Sequence, residues 1–385
     1  MFFQLPPAGN KIDCHSYSDG ASGIVSYFPA DTYFFNSGAA SLAAVVLAAV
    51  QRSNFERPEV LLPAYACPEL VSAVLYAGAR PVLVDLEADR CWMDLNALAE
   101  NMTAQTCAVI AVSLFGIPER LGRIRKVLGN RDIWLIEDSA QAFPEAGVSD
   151  VERGDITIYS FGRGKPVSVL AGGAALVWDA SKCEAIAHIH AAAAPCKTAK
   201  WKARLKIAAY NRLLSPLLYW LPNKLPFIQL GATIFHPLDD IKKMSAYEFS
   251  LLGRNIEAYW QRDRTAQNLL ETRITQRNKR DVIIDLAAVS CDGTVPRLLR
   301  YPLLAAGLEQ RNELCEALNR KGLGASKMYP STLKTINGLE GLFKASAEVP
   351  NAEDFSQRIL TLPIHSGVKE KEIDEMLNVI APPFI

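Results

Sequence analysis

Between Phe34 and Val177 the chain alternates short apolar, β-branched runs with segments of helical periodicity, and this alternation restricts the fold more than any other feature. A parallel connection between strands must cross the sheet, and the crossing helix covers one of its faces, so such a pattern predicts a mostly parallel sheet buried between helices. Strands are expected at Glu59–Leu62, Pro81–Val84, Ala108–Val112, Ile133–Glu137, Ile156–Ser160 and Gly173–Val177. Helices are expected at Leu42–Val50, Pro68–Tyr76, Leu95–Asn101 and Leu121–Leu128, with Gly78 and Gly129 as C-terminal stops.

Further along, Met244 to Leu269 predicts one long connector helix. Strands near Val282–Ile284, Arg300–Leu303 and Ile359–Leu362, with helices at Arg311–Lys321 and Glu370–Ile380, predict a smaller α+β unit. The expected division is a large α/β domain over residues 1–245 and a connector with a small C-terminal domain over 246–385. At 385 residues the chain is long enough for both.

Lys+Arg and Asp+Glu balance at 41 each, so no global field favours a polyanion and no nucleic-acid partner is expected. Eight cysteines without a CxxC pair read as reduced thiols of a cytoplasmic protein. Met1 to Pro7 does not read as a signal peptide, and the greasiest stretch, Ile207 to Phe235, is broken by Pro216, Pro222 and Pro226. That stretch lies within a hydrophobic insertion around 195–236, interleaved with lysines and arginines. Burial in a subunit interface or against the core is preferred for it over a lipid surface. His188 and His190 would share one face of a strand, but no third ligand is evident and no metal site is expected.

In open α/β sheets, ligands bind beyond the carboxyl ends of the strands. Two groups of complementary chemistry fall there: Asp138 after Ile133–Glu137, and Lys165 in the small-residue loop Ser160-Phe161-Gly162-Arg163-Gly164-Lys165. A third feature is the turn Asn36-Ser37-Gly38-Ala39-Ala40-Ser41, which opens into a helix whose first N–H groups and dipole make an anion seat. Ser160 and Arg163 are placed to donate to the same anion. An amine that forms a Schiff base, a carboxylate for a pyridinium proton and a phosphate seat are together what pyridoxal 5'-phosphate requires. Beside Glu137, however, either acid of the pair reads equally as a solvated carboxylate.

The ordered motifs Ser37-Gly38-Ala39-Ala40-Ser41-Leu42, Leu62-Pro63-Ala64-Tyr65, Gly78-Ala79-Arg80-Pro81-Val82, Ser113-Leu114-Phe115-Gly116, Ile136-Glu137-Asp138-Ser139-Ala140-Gln141, Ser160 to Lys165, Gly172-Gly173, Tyr329-Pro330 and Leu362-Pro363-Ile364-His365 follow one known succession. The chain resembles, over nearly its whole length, the DegT/StrS-like sugar aminotransferases, which are fold-type-I pyridoxal-phosphate enzymes. The resemblance implies that Lys165 links to the cofactor and moves a proton during transfer, and that Asp138 holds the pyridine nitrogen protonated. It places Gln141 near the ring substituents, and Ser160, Gly38, Ala39 and Ser41 on the phosphate. It also implies an amino acid donor, usually glutamate, a keto group on a nucleotide-linked sugar as acceptor, and a homodimer.

Several positions depart from the family. Ala39 stands for a threonine and Ser113 for a histidine, and Leu170-Ala171-Gly172-Gly173 lacks a glutamate. The position of the stacking aromatic falls at Cys67, with Tyr65 as the alternative ring. Lys243 occupies the region of an arginine that approaches the neighbouring subunit, and with Tyr329 and Ser113 it is a candidate for substrate contact. These departures keep two other readings open: a different reaction on the same cofactor, such as sugar dehydration, and a non-catalytic binding protein. Lys165 weighs against the first, because related dehydratases replace it.

Overall fold

The computed structural model describes residues 3–15, 27–29, 31–146, 152–223, 233–277, 283–291, 293–343 and 348–381. In chain order the first half runs β1 (Thr32–Phe35), α1 (Gly38–Ser53), β2 (Glu59–Pro63), α2 (Glu69–Tyr76), β3 (Arg80–Val84), α3 (Leu95–Asn101), β4 (Thr106–Val112), α4 (Leu121–Leu128), β5 (Trp134–Asp138), β6 (Ile156–Ser160) and β7 (Gly173–Val177). There follow α5 (Cys183–Ala192), β8 (Ala194–Pro195), α6 (Lys200–Leu213), α7 (Pro216–Asn223) and β9 (Lys242–Lys243). The strands form one sheet in the order β3-β2-β4-β5-β6-β7-β1-β9-β8.

β3, β2, β4, β5 and β6 are mutually parallel, as the crossover pattern requires. The sheet then reverses: β7 pairs antiparallel with both β6 and β1. β4 is buried along its full length, which is why its sequence, TCAVIAV, lacks polar alternation. β2, β3 and β4 each lead into a helix that covers the sheet; in α4, Leu121, Ile124 and Leu128 are buried and the arginines face outward.

The remaining elements are α8 (Ala246–Ser250), α9 (Leu252–Trp260), α10 (Thr265–Arg277), β10 (Ile283–Asp285), α11 (Leu286–Ser290), β11 (Tyr301–Ala305), α12 (Leu308–Arg320), α13 (Pro350–Arg358), β12 (Ile359–Leu362) and α14 (Glu370–Ile380). β10, β11 and β12 make a separate antiparallel sheet. The expected single connector helix is instead three helices. The chain turns out of helix after Trp260, whose indole donates to the Pro144 carbonyl, while Asp263 captures the N–H and hydroxyl of Thr265. His188 and His190 lie in the helix α5 rather than on a strand, two residues apart, and so point in different directions. Val282, the first residue of one expected strand, lies outside the described residues. No disulfide joins any of the eight cysteines.

Candidate active site

The sheet register assembles the site. Ser160 at the end of β6 pairs with Gly173 on β7, and Gly173 pairs in turn with Phe35 on β1, so the turn leading into α1 lies beside the end of β6. Glycine makes this closeness possible: a Cβ on Gly38 would come within 2.6 Å of Ser160 Cβ, and one on Gly173 within 2.6 Å of the Ser37 carbonyl. Ser37 caps α1, its hydroxyl accepting from Ala40 N at 3.0 Å. The N–H groups of Gly38 and Ala39 have no carbonyl a turn earlier to bond and stay available to an anion. Ser41 is fully buried, its hydroxyl donating to the Ser37 carbonyl at 3.0 Å, so it stiffens the seat from behind.

Asp138 ends β5 and is buried. Its Oδ1 accepts from Ala140 N at 2.9 Å, and its carbonyl accepts from Ser113 N at 3.0 Å, which ties the ends of β4 and β5 together. Burial pushes the Asp138 carboxyl up; the ammonium of Lys165 acts on it in the opposite direction, and the carboxylate of Glu69 pushes it further up. The acid and the amine, separated by a helix-sized stretch of chain, are thus electrostatic neighbours.

Glu137, one residue back, faces the other way, accepting from Ser139 Oγ at 2.7 Å and Thr157 Oγ1 at 2.8 Å. Neither acid of the pair is merely solvated. Lys165 is half-buried in a turn in which its N–H reaches the Gly162 carbonyl and Gly164 adopts φ +73°.

Gln141 is a clamp. Its Oε1 accepts from Phe115 N at 2.9 Å and its Nε2 donates to the Tyr329 hydroxyl at 3.2 Å. Burial raises the Tyr329 phenol well above its ordinary range, with Cys67 next among the causes, so it stays protonated. Cys67 is half-buried in the same cluster; burial pushes its thiol up to about 12, with Glu69, Lys165 and Asp138 all within electrostatic reach. Tyr65 is not the free ring expected. It is fully buried, packed on Tyr329 and Phe355, and its hydroxyl accepts from Tyr329 N at 3.2 Å. Cys67, and not Tyr65, therefore faces the Asp138–Lys165 pair.

Two further expected residues sit at the margins. Arg163 is exposed, and its charge reaches the Tyr210 and Tyr219 hydroxyls. Lys243 lies in β9, where its Nζ donates to the Ala191 carbonyl at 3.2 Å. Ser113 is buried behind Asp138.

The structure adds two residues that sequence reading missed. Glu69, the first residue of α2, lies close enough for its charge to act on both Asp138 and Cys67. Arg300 donates to Ser326 Oγ at 3.1 Å beside Tyr65, Tyr219 and Tyr329, while its Nε is buried without a partner. Nothing in the local pattern singled out either one. Phe115, bonded to Gln141, and Met328, next to Tyr329, adopt φ +61° and +54°, a region costly for residues with a Cβ.

A buried carboxylate beside an amine, next to a glycine-shaped anion seat at the carboxyl ends of a mostly parallel sheet, defines a fold-type-I pyridoxal-phosphate-dependent enzyme. The chain belongs to the DegT/DnrJ/EryC1/StrS aminotransferase family, whose model matches residues 32–216 and 255–381.

Among curated relatives, a UDP-N-acetyl-3-dehydro-alpha-D-glucosamine 3-aminotransferase of Acidithiobacillus ferrooxidans is 31% identical over 84% of this chain and 76% of its own length. GDP-perosamine synthase of Escherichia coli O157:H7 is 30% identical over a shorter match, which spans 32% of this chain and 35% of that protein. Among solved structures, Helicobacter pylori PseC, an aminotransferase involved in the biosynthesis of pseudoaminic acid, superposes with a TM-score of 0.73 at 14% identity and covers 98% of each chain. At that identity the likeness shows the fold.

Proposed function

We propose that this aminotransferase moves an amino group from an amino acid, glutamate in the first instance, to the keto carbon of a nucleotide-linked sugar in polysaccharide or glycoconjugate biosynthesis. The observation that carries the reading is the Asp138–Lys165 pair set beside the Gly38–Ser160 seat. The activities that name the Acidithiobacillus and Escherichia proteins support a sugar acceptor. A homodimer is inferred from the family alone.

Pyridoxal phosphate, when bound, supplies an aldehyde that takes up an amine and a ring that takes up electrons. The Gly38 and Ala39 N–H groups and Ser160 Oγ would hold its phosphate, and the missing Cβ of Gly38 is what lets Ser160 stand against those N–H groups. Asp138 would hold the proton on the ring nitrogen; its burial strengthens that ionic hydrogen bond. Lys165 Nζ would form the covalent attachment and, once the donor's amino group has displaced it and freed the amine, would take the proton from the donor's α-carbon and return it on the other side of the transfer. Gln141 and Tyr329 keep Phe115 and the C-terminal segment fixed against the site.

The test uses the holoenzyme. With glutamate alone it should release about one oxo acid per site and stop, and with a nucleotide keto sugar added it should turn over repeatedly. If no amino acid yields an oxo acid in either condition, the transfer reading fails.

A further inference from the structure

α6 and α7 form a helical hairpin with two unlike faces. The inner face docks on the body of the protein. Ala203 and Ile207 are buried, and Asn211 exchanges two 2.8 Å hydrogen bonds with the backbone of Ile12. The Tyr210 ring packs on Gly9.

The outer face carries the three most exposed large apolar side chains among the described residues: Trp201, Leu205 and Leu217, at 65%, 63% and 64%. Leu213 and Leu218 extend this apolar surface. Trp201 and Leu205 are one helical turn apart, so they form a stripe.

Around the stripe stand Lys200, Lys202, Arg204, Lys206 and Arg212, all exposed. From Ala185 to Leu238 the sequence contains no aspartate or glutamate, although the whole chain is neutral. Among the described residues no carboxylate lies within salt-bridge distance of these five cations.

We propose that this hairpin docks the enzyme on the surface of an anionic phospholipid bilayer, with Trp201, Leu205 and Leu217 entering the headgroup boundary and the cations pairing with lipid phosphates. A face that mixes a tryptophan, leucines and unneutralised cations suits that boundary. A second copy of the chain suits it less, because a two-fold contact would set the cationic helix against itself. The attachment is peripheral, since no described helix is long and apolar enough to cross a membrane.

The experiment is flotation of the full-length holoenzyme with phosphatidylcholine vesicles, with and without phosphatidylglycerol. The protein should float with the anionic vesicles at low salt and remain at the bottom with phosphatidylcholine alone. Leu205→Ser with Leu217→Ser, and separately Lys202→Glu with Lys206→Glu, should each lower the floated fraction roughly tenfold. Both variants should keep the cofactor absorbance and oligomeric state of the parent. The proposal is overturned if the parent fails to float with anionic vesicles, or if folded variants float as well as it does. It is also overturned if light scattering shows that the substitutions split an oligomer, because the face then belongs to a second copy.

Discussion

Asp138 and Glu137 are adjacent carboxylates at one strand end, and the pleat sends them to opposite sides, one toward Lys165 and the other toward Ser139 and Thr157. Strand alternation made that split legible once the end of β5 was known, whereas the inward turn of Tyr65 was not, because it depends on Tyr329 and Phe355 arriving from far along the chain. The same distance hid Arg300.

Two outcomes follow at this scale. Lys165→Ala should lose the covalent cofactor link and lower kcat/KM by about 10²–10⁴-fold, read by absorbance and steady-state rates. Asp138→Asn should lose most turnover yet melt at a higher temperature without cofactor. The sign follows from burial: the folded carboxyl is raised above its unfolded value of 3.8, so its ionisation draws stability away as pH rises past that value, and the amide removes the loss.

Elements were the most readable level. α3, α4, β6, β7, β12 and α14 lie where periodicity set them, since each carries its own burial pattern and its own stop signals. β1 was missed because four residues of TYFF hold too little alternation, and the connector broke where Trp260 anchors to the Pro144 carbonyl and Asp263 captures the Thr265 N–H. The meeting of α1 with β6 supports a sharp expectation. Gly38→Val drives a side chain into Ser160, and should weaken cofactor retention after desalting while costing about 1–3 kcal/mol of stability.

At the start of α5, the Lys182 ammonium donates to Asp179 and holds its carboxyl down at about 2. That contribution is complete above the unfolded value of 3.8 and disappears as pH falls through about 2. In acid-unfolding curves, Asp179→Asn should therefore flatten the slope of stability in that window. An unchanged slope would show that the pair contributes nothing to acid stability.

At the scale of the molecule, the C-terminal residues complete the site rather than merely following it. Tyr329 reaches Gln141, and Leu333 N donates to the Ala64 carbonyl at 2.8 Å. Asp85 at the end of the β3 region accepts from Asn351 N at 3.1 Å and Ala352 N at 2.7 Å, capping α13 from across the fold. Asp85→Ala leaves those two N–H groups without their acceptor and should cost about 1–3 kcal/mol in denaturant unfolding.

The central claim is that Lys165 is the residue that carries the cofactor. Borohydride reduction of the holoenzyme followed by peptide mass spectrometry tests it most directly. A pyridoxyl phosphate adduct should be found on the peptide containing Lys165 and be absent in Lys165→Ala. An adduct confined to another lysine, or no adduct in a protein that retains cofactor, would contradict the account.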